Sequence, residues 1–119
     1  MKIRKIKFLT LAKHIAELLD EKKARDIKIL NVRRFSPLTE YVVLATVDSF
    51  VQMRAVIGHL AEKLQYDYLH RDWQPPQEWA VLDYGGVIVH LFSPERRTLF
   101  NLEKIWTGAR NITYVKKRN

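Results

Sequence analysis

Cysteine is absent from the 119 residues. That excludes a disulfide scaffold, a cysteine nucleophile and thiolate-held zinc or iron–sulfur clusters, and it fits a reducing compartment. Glycine is scarce, with four in the chain. There is no Gly-rich phosphate loop and no Gly-x-Ser-x-Gly, and Gly85-Gly86 reads as a turn. Asp-x-Asp is also missing, so the paired carboxylates of a magnesium-assisted phosphoryl transfer have no visible source. His14, His59, His70 and His90 contain no i,i+4 pair, and no metal site is expected. Ser36, Ser49 and Ser93 are explained as turn or cap residues. Helix-turn-helix, zinc-finger and RRM signatures are lacking. These absences disfavour an enzyme, and no cofactor is expected.

No run of about 18 uncharged apolar residues exists to span a bilayer. The basic start Met1-Lys2-Ile3-Arg4-Lys5-Ile6-Lys7 has no apolar signal core. A cytoplasmic protein with no membrane partner is the expectation.

What is present suits one domain over residues 1–119, with a basic C-terminal tail from about residue 110. The apolar share of 47% can fill a core. The net charge of +8 is segregated. Residues 1–34 hold 11 Lys/Arg against 4 Asp/Glu, residues 35–95 hold 3 against 8, and residues 96–119 hold 7 against 1. The net charges are therefore +7, −5 and +6. Basic ends attract nucleic-acid phosphates by counterion release, although a solvated helix face and tail have the same composition. Lys116-Lys117-Arg118 follows the last apolar pattern and reads as a tail.

Phe8, Leu11, Ile15 and Leu18 recur at helical spacing, with Leu9, Ala12, Ala16 and Leu19 beside them. They predict a helix of about 18 residues. Ile27–Val32 reads as a strand, residues 35–39 as a connection broken by Pro37, and Tyr41–Thr46 as a central strand apolar on both faces. Ser49 with Gln52 forms a capping box for a second helix whose stripe is Met53, Val56, Ile57, Leu60, Ala61 and Leu64. Tyr66–Leu69 reads as a short strand and residues 72–77 as a loop. Trp79–Tyr84 and Val87–Phe92 flank Gly85-Gly86 as a hairpin. Ser93 and Pro94 open a third helix with Leu99, Leu102, Ile105 and Trp106 on its apolar side, ending near Gly108. The order α-β-β-α-(β)-β-β-α predicts an α/β (α+β) fold, a mixed sheet with packed helices.

His90 alternates with Ile88 and Phe92, which suits a hydrogen-bonded, half-buried histidine. Trp79, Asp83 and Tyr84 lie on or beside the hairpin. Arg97, Phe100, Glu103 and Trp106, spaced by three, fall near one face of the third helix. Arginine among large aromatics is the composition of interface hot spots. The same residues also suit a core closed by an Arg97–Asp83 or Arg97–Glu103 ion pair.

Those residues carry a family likeness. Trp79-Ala80-Val81-Leu82-Asp83-Tyr84-Gly85-Gly86-Val87-Ile88-Val89-His90-Leu91-Phe92, followed by Arg97-Thr98-Leu99-Phe100-Asn101-Leu102-Glu103-Lys104-Ile105-Trp106, resembles the ribosomal silencing factor family (RsfS, also called Iojap or YbeB). Asp26-Ile27, Thr39-Glu40-Tyr41-Val42-Val43-Leu44-Ala45-Thr46 and Ser49 extend the likeness upstream, so that it covers about residues 26–106. Glu40, Val47, Asp72-Trp73, Gly86 and Phe100 depart from the usual Asp, Gly, Glu-Gly, Asp and Tyr.

The resemblance implies a nucleotidyltransferase-like sheet without transferase chemistry. It implies binding to the large ribosomal subunit, chiefly to its fourteenth protein, and translational repression by obstructing small-subunit docking. It points to Glu40, Tyr41, Asp72, Trp79, Asp83, Tyr84, Arg97, Phe100 and Glu103 as partner-binding positions, with Trp79, Asp83 and Tyr84 foremost. Trp106 and Leu102 are expected in the core. Acidic Glu40, Asp72 and Asp83 would complement a basic ribosomal protein. The basic ends suggest auxiliary contacts to ribosomal RNA, and a basic RNA-binding accessory protein of large-subunit assembly is the alternative. A monomer and a homodimer are both compatible with the sequence.

Overall fold

The computed structural model describes residues 7–114. The basic start through Ile6 and the Lys116-Lys117-Arg118 tail lie outside the described residues.

Helix α1 (Phe8–Glu21) buries Leu11, Ala12, Ile15, Ala16, Leu18 and Leu19, the stripe that its periodicity predicts. It is 14 residues long, shorter than expected, because the chain turns away at Lys22 and passes through a positive φ of 66° at Lys23. Strand β1 (Arg25–Asn31) pairs antiparallel with β2 (Tyr41–Thr46), with a bulge between Arg25 and Lys28 where Asp26 also takes a positive φ. All six residues of β2 are buried, as its two-sided apolar run requires.

Helix α2 (Phe50–Lys63) starts where the capping pattern places it, with the Ser49 hydroxyl accepting from Gln52 N at 3.0 Å. The Gln52 side chain returns one residue further back than in the usual box, accepting from the Asp48 N–H at 2.6 Å. Tyr66–Leu69 is not a strand. The Leu69 N–H bonds to the Asp83 carbonyl, and the ladder proper begins with β3 (His70–Asp72). Strands β4 (Trp79–Asp83) and β5 (Val87–Phe92) form the expected hairpin, closed by Tyr84 N donating to Val87 O at 2.8 Å. Gly85 supplies the turn's positive φ of 88°.

The expected third helix is two pieces. Helix α3 (Pro94–Phe100) is capped by the Ser93 hydroxyl and ends at Asn101, which sits in the left-handed region at φ 45° and ψ 53°. A 3-10 helix, Leu102–Trp106, follows. Asparagine tolerates this conformation better than other non-glycine residues, so it ends helices. The break leaves Leu99 and Ile105 exposed, where the continuous stripe had them packed. Beyond Gly108 the chain adds a strand that the sequence reading lacked, β6 (Arg110–Ile112), antiparallel to β1.

The strands make one mixed sheet in the order β3-β4-β5-β2-β1-β6, in which β2 and β5 run parallel and the other described pairs antiparallel. The α/β expectation of a mixed sheet with packed helices is met. Alternation along the strands divides two cores. Val43, Ala45, Val89, Leu91, Ala80 and Leu82 face α1 and α2. Leu30, Val42, Leu44 and Phe92 face the other way, against Trp79, Leu102, Trp106 and Ala109. Both sheet edges are short, three-residue strands, which limits edge-to-edge pairing.

Candidate protein-docking face

The second face of the sheet is unevenly covered. Over β1, β2 and the end of β5, Leu102, Trp106 and Ala109 together with Trp79 cover Leu30, Val42, Leu44 and Phe92. Toward the other edge the cover thins. Trp79, Val81 and Asp83 on β4 and Ile88 and His90 on β5 are half-buried, and β3 is exposed along its length. Register places Asp72 opposite Val81 and His70 opposite Asp83, so both β3 residues share this face.

Aromatic rings form its centre. Trp79 stacks on Phe92 with centroids 5.8 Å apart and packs against Phe100 at 4.5 Å. His90 is stacked with Phe92 at 5.9 Å and lies 6.5 Å from Trp106. The Trp79 Nε1–H donates to His90 Nδ1 at 3.2 Å. This is the hydrogen-bonded, half-buried histidine that strand alternation predicts. Burial pushes the imidazole pKa down to about 4, so His90 is neutral near pH 7. Trp106 and Leu102, expected in the core, are partly buried and pack against this second core. Phe100, the last residue of α3, keeps an exposed face beside Trp79.

Acidic groups rim the centre. Asp83 Oδ1 accepts from Gly85 N at 2.7 Å, which ties the carboxylate to the turn. Asp72 is exposed on the edge strand. Glu40 precedes β2, its N–H donates to the Gly86 carbonyl at 3.0 Å, and its carboxylate lies 3.7 Å from Arg33. Glu40 and Asp83 thus flank one end of the sheet, beside the turn.

Arg97 is a clamp rather than a surface charge. Its side chain is 11% exposed. Its Nη1 donates to Asp26 O at 2.6 Å and to Thr46 Oγ1 at 2.9 Å, and its Nε to Glu103 at 3.4 Å. The Lys28 ammonium lies 2.7 Å from the other Glu103 oxygen. Burial pushes the Glu103 carboxyl up, but the hydrogen bonds from Lys28 and Arg97 outweigh it and hold it below the usual range. Of the two ion pairs open at the sequence level, the structure forms Arg97–Glu103. The expectation that this run shares one face of a continuous helix is wrong: residues six apart lie about 120° apart around such a helix, and it is the break at Asn101 that brings Arg97 and Glu103 together.

Two candidate contact residues sit on the wrong side of the sheet. Tyr41 and Tyr84, 5% and 7% exposed, belong to the core under α1 and α2. Burial pushes the Tyr84 hydroxyl up to about 12, and its ring meets Tyr68 edge-on at 6.3 Å. Neither ring presents a surface to a partner. The period of two explains it: Asp83 faces the open side, so its neighbour Tyr84 must face inward. That same rule would have added Val81 and Ile88, which share the face with Trp79 and His90. Among the described residues no three His, Asp or Glu side chains converge as metal ligands, and no helix is long and apolar enough to cross a membrane.

Comparison with known proteins places the chain in a family. Residues 5–119 match the family model described as ribosomal silencing factor during starvation. The chloroplastic protein Iojap of Arabidopsis thaliana is 36% identical over 107 residues, covering 87% of this chain and 44% of that protein. Mitochondrial assembly of ribosomal large subunit protein 1 of Mus musculus is 27% identical over 99 residues, covering 78% of this chain and 43% of the relative. The chain thus spans under half the length of these two organellar relatives. A crystal structure of a Chromobacterium violaceum protein superposes with a TM-score of 0.79 at 25% identity, over 94% of this chain and 95% of that one. By sequence along nearly its whole length and by fold, the chain belongs to the ribosomal silencing factor family.

Proposed function

We propose that this protein represses translation by occupancy: it docks on the large ribosomal subunit through the fourteenth protein and sterically blocks small-subunit joining. The observation that carries the reading is the half-open sheet face, where Trp79, Val81, Ile88 and Phe100 are rimmed by Asp72, Asp83 and Glu40. An aromatic centre with an acidic rim complements a basic protein surface and speeds encounter with it. Such a mechanism requires no bond-making step, and its proposed place is the cytoplasm. At a concentration about 100 times Kd, joining-competent subunits fall to about 1%. In sucrose gradients the purified protein should run with isolated large subunits and reduce joined ribosomes when small subunits are added. Sedimentation with small subunits alone, or free protein at micromolar concentration, sinks the proposal.

The segregated charge favours a secondary contact. Basic termini beside an acidic middle suit a protein seated next to ribosomal RNA, and an accessory role in large-subunit assembly is the alternative reading. Each phosphate neutralised adds roughly 0.7–0.9 to the slope of log K against log salt. Deleting residues 115–119 should flatten that slope while leaving affinity for the isolated protein partner unchanged. Equal slopes for both chains leave the tail as a solubilising segment.

A further inference from the structure

An indole nitrogen can only donate a hydrogen bond. With Trp79 Nε1 lying 3.2 Å from His90 Nδ1, that ring nitrogen must offer its lone pair, and the imidazole proton must sit on Nε2. The ring has little freedom to escape. It is stacked with Phe92 at an interplanar angle of 9° and flanked by Trp79 and Trp106. Its cross-strand neighbours are Leu44 and Val81, both aliphatic, so no charge from either adjacent strand partner competes for the proton.

Nε2 is different from the rest of the ring. It has no hydrogen-bond partner among the described residues, and no enclosed side-chain nitrogen or oxygen of those residues lacks one. The Nε2–H therefore reaches solvent through the open face. Bulk solvent is its partner in the free protein. A partner that closes over Trp79, Val81 and Ile88 removes that solvent and must return an acceptor, since a buried donor left unpaired is strongly unfavourable.

The acceptor's class follows from the rim. Arg96 lines the recess beside Trp79, Val81 and Phe100, but Asp72, Glu78 and Asp83 outnumber it there, so a carboxylate or phosphate is disfavoured, and cationic side chains carry no acceptor. On the reading that this face is where a partner docks, we propose that His90 is its specificity-determining donor. Trp79 is the positioning residue that fixes the Nε2–H tautomer, and the N–H donates to a neutral oxygen, carbonyl or hydroxyl, of the docked protein. A neutral imidazole also spares a basic partner a like charge at the centre of the interface.

Ring-nitrogen 15N NMR of histidine-labelled protein separates protonated from unprotonated imidazole nitrogens. His90 should show a protonated Nε2 and an unprotonated Nδ1 throughout pH 5.5–8. Trp79→Phe keeps a ring in the stack and removes the donor, so His90 should then populate both tautomers. His90→Phe, which keeps the packing and loses the donor, should bind isolated large ribosomal subunits about tenfold more weakly, the loss of roughly one good hydrogen bond. His90→Gln, which restores a donor of similar reach, should recover most of that. Melting curves confirm that each variant is folded. A proton on Nδ1 in the wild-type protein overturns the proposal, as does unchanged affinity of His90→Phe where Asp83→Lys has lost binding. Unchanged affinity in both variants overturns the docking face itself.

Discussion

The Phe8 ring occupies the space that a side chain at position 86 would need: a Cβ added to Gly86 would overlap its ring atoms. The first residue of α1 thus packs onto the β4–β5 turn, next to the carbonyl of Gly86 that receives the N–H groups of Glu40 and Tyr41. Glycine suits position 86, since a Cβ there would have to displace the Phe8 ring. Gly86→Ala should destabilise the protein by about 1–3 kcal/mol, as overpacking does, and Phe8→Ala should recover much of that in the double variant. Urea unfolding of the two single variants and the double variant measures the coupling. Additive losses would separate the two residues.

Asp83 joins the proposed partner contact to a turn. Its Oδ1 holds the Gly85 N–H, so replacing it with lysine removes both a charge and a hydrogen bond. Asp83→Asn keeps an acceptor of the same shape. Asp83→Lys should lower stability by about 1 kcal/mol and weaken large-subunit binding by about 2 kcal/mol or more. Asp83→Asn should leave the melting temperature nearly unchanged and still weaken binding. Normal binding by both variants, with a fall in melting temperature for lysine alone, would make Asp83 a turn residue only.

Arg97 connects α3, the bulge at Asp26, the end of β2 and the 3-10 helix through one guanidinium. Lysine has three N–H donors but all on one nitrogen, so it cannot span acceptors that Arg97 reaches from Nε and Nη1. Arg97→Met and Arg97→Lys should both cost about 2–3 kcal/mol in urea unfolding, because hydrogen bonds to a charged group are lost and polar atoms are left behind. Glu103→Gln should cost less, since Gln can still accept from Lys28. A loss under about 0.5 kcal/mol in Arg97→Lys would place the clamp's strength in simple charge rather than geometry.

Local chemistry explains which parts of this molecule could be read from sequence. Periodicity located α1 and α2, Ser49 and Ser93 marked helix starts with hydroxyls that cap them, and Gly85 marked the turn with its positive φ. The misreadings share a different cause. Tyr66–Leu69 has strand composition, but pairing is decided by what β4 offers, and the ladder forms over His70–Asp72. The spacing of Arg97, Phe100, Glu103 and Trp106 presupposes an unbroken helix, and one left-handed asparagine changes which of them meet. β6 carries too few apolar residues to signal a strand and exists by pairing with β1. At the candidate site Trp79, Asp83 and Phe100 were legible as composition. Tyr41 and Tyr84 were assigned to a contact surface because motif matching ignores the face on which a strand residue falls.

The buried imidazole of His90 gives stability a pH dependence whose sign can be worked out. Its folded pKa is lowered to about 4, below the ordinary 6.5 of an unfolded chain. Between those values the unfolded state holds the proton and the folded state does not, so stability falls as pH falls through that window. The contribution is fully present above pH 6.5 and is lost as the pH approaches 4. That lowering corresponds to roughly 3 kcal/mol in all, of which roughly 2 should be gone by pH 5. Protonation would also set a ring N–H against the Trp79 N–H, so the hydrogen bond that holds the tautomer fails at the same step. His90→Phe removes the titration and keeps an aromatic ring against Phe92 and Trp79. Urea unfolding from pH 7 to pH 5 should therefore show a smaller loss in His90→Phe than in the wild-type protein, by about 2 kcal/mol. Parallel pH profiles would mean that His90 is solvated in the native state and that its contact with Trp79 is too loose to fix the proton.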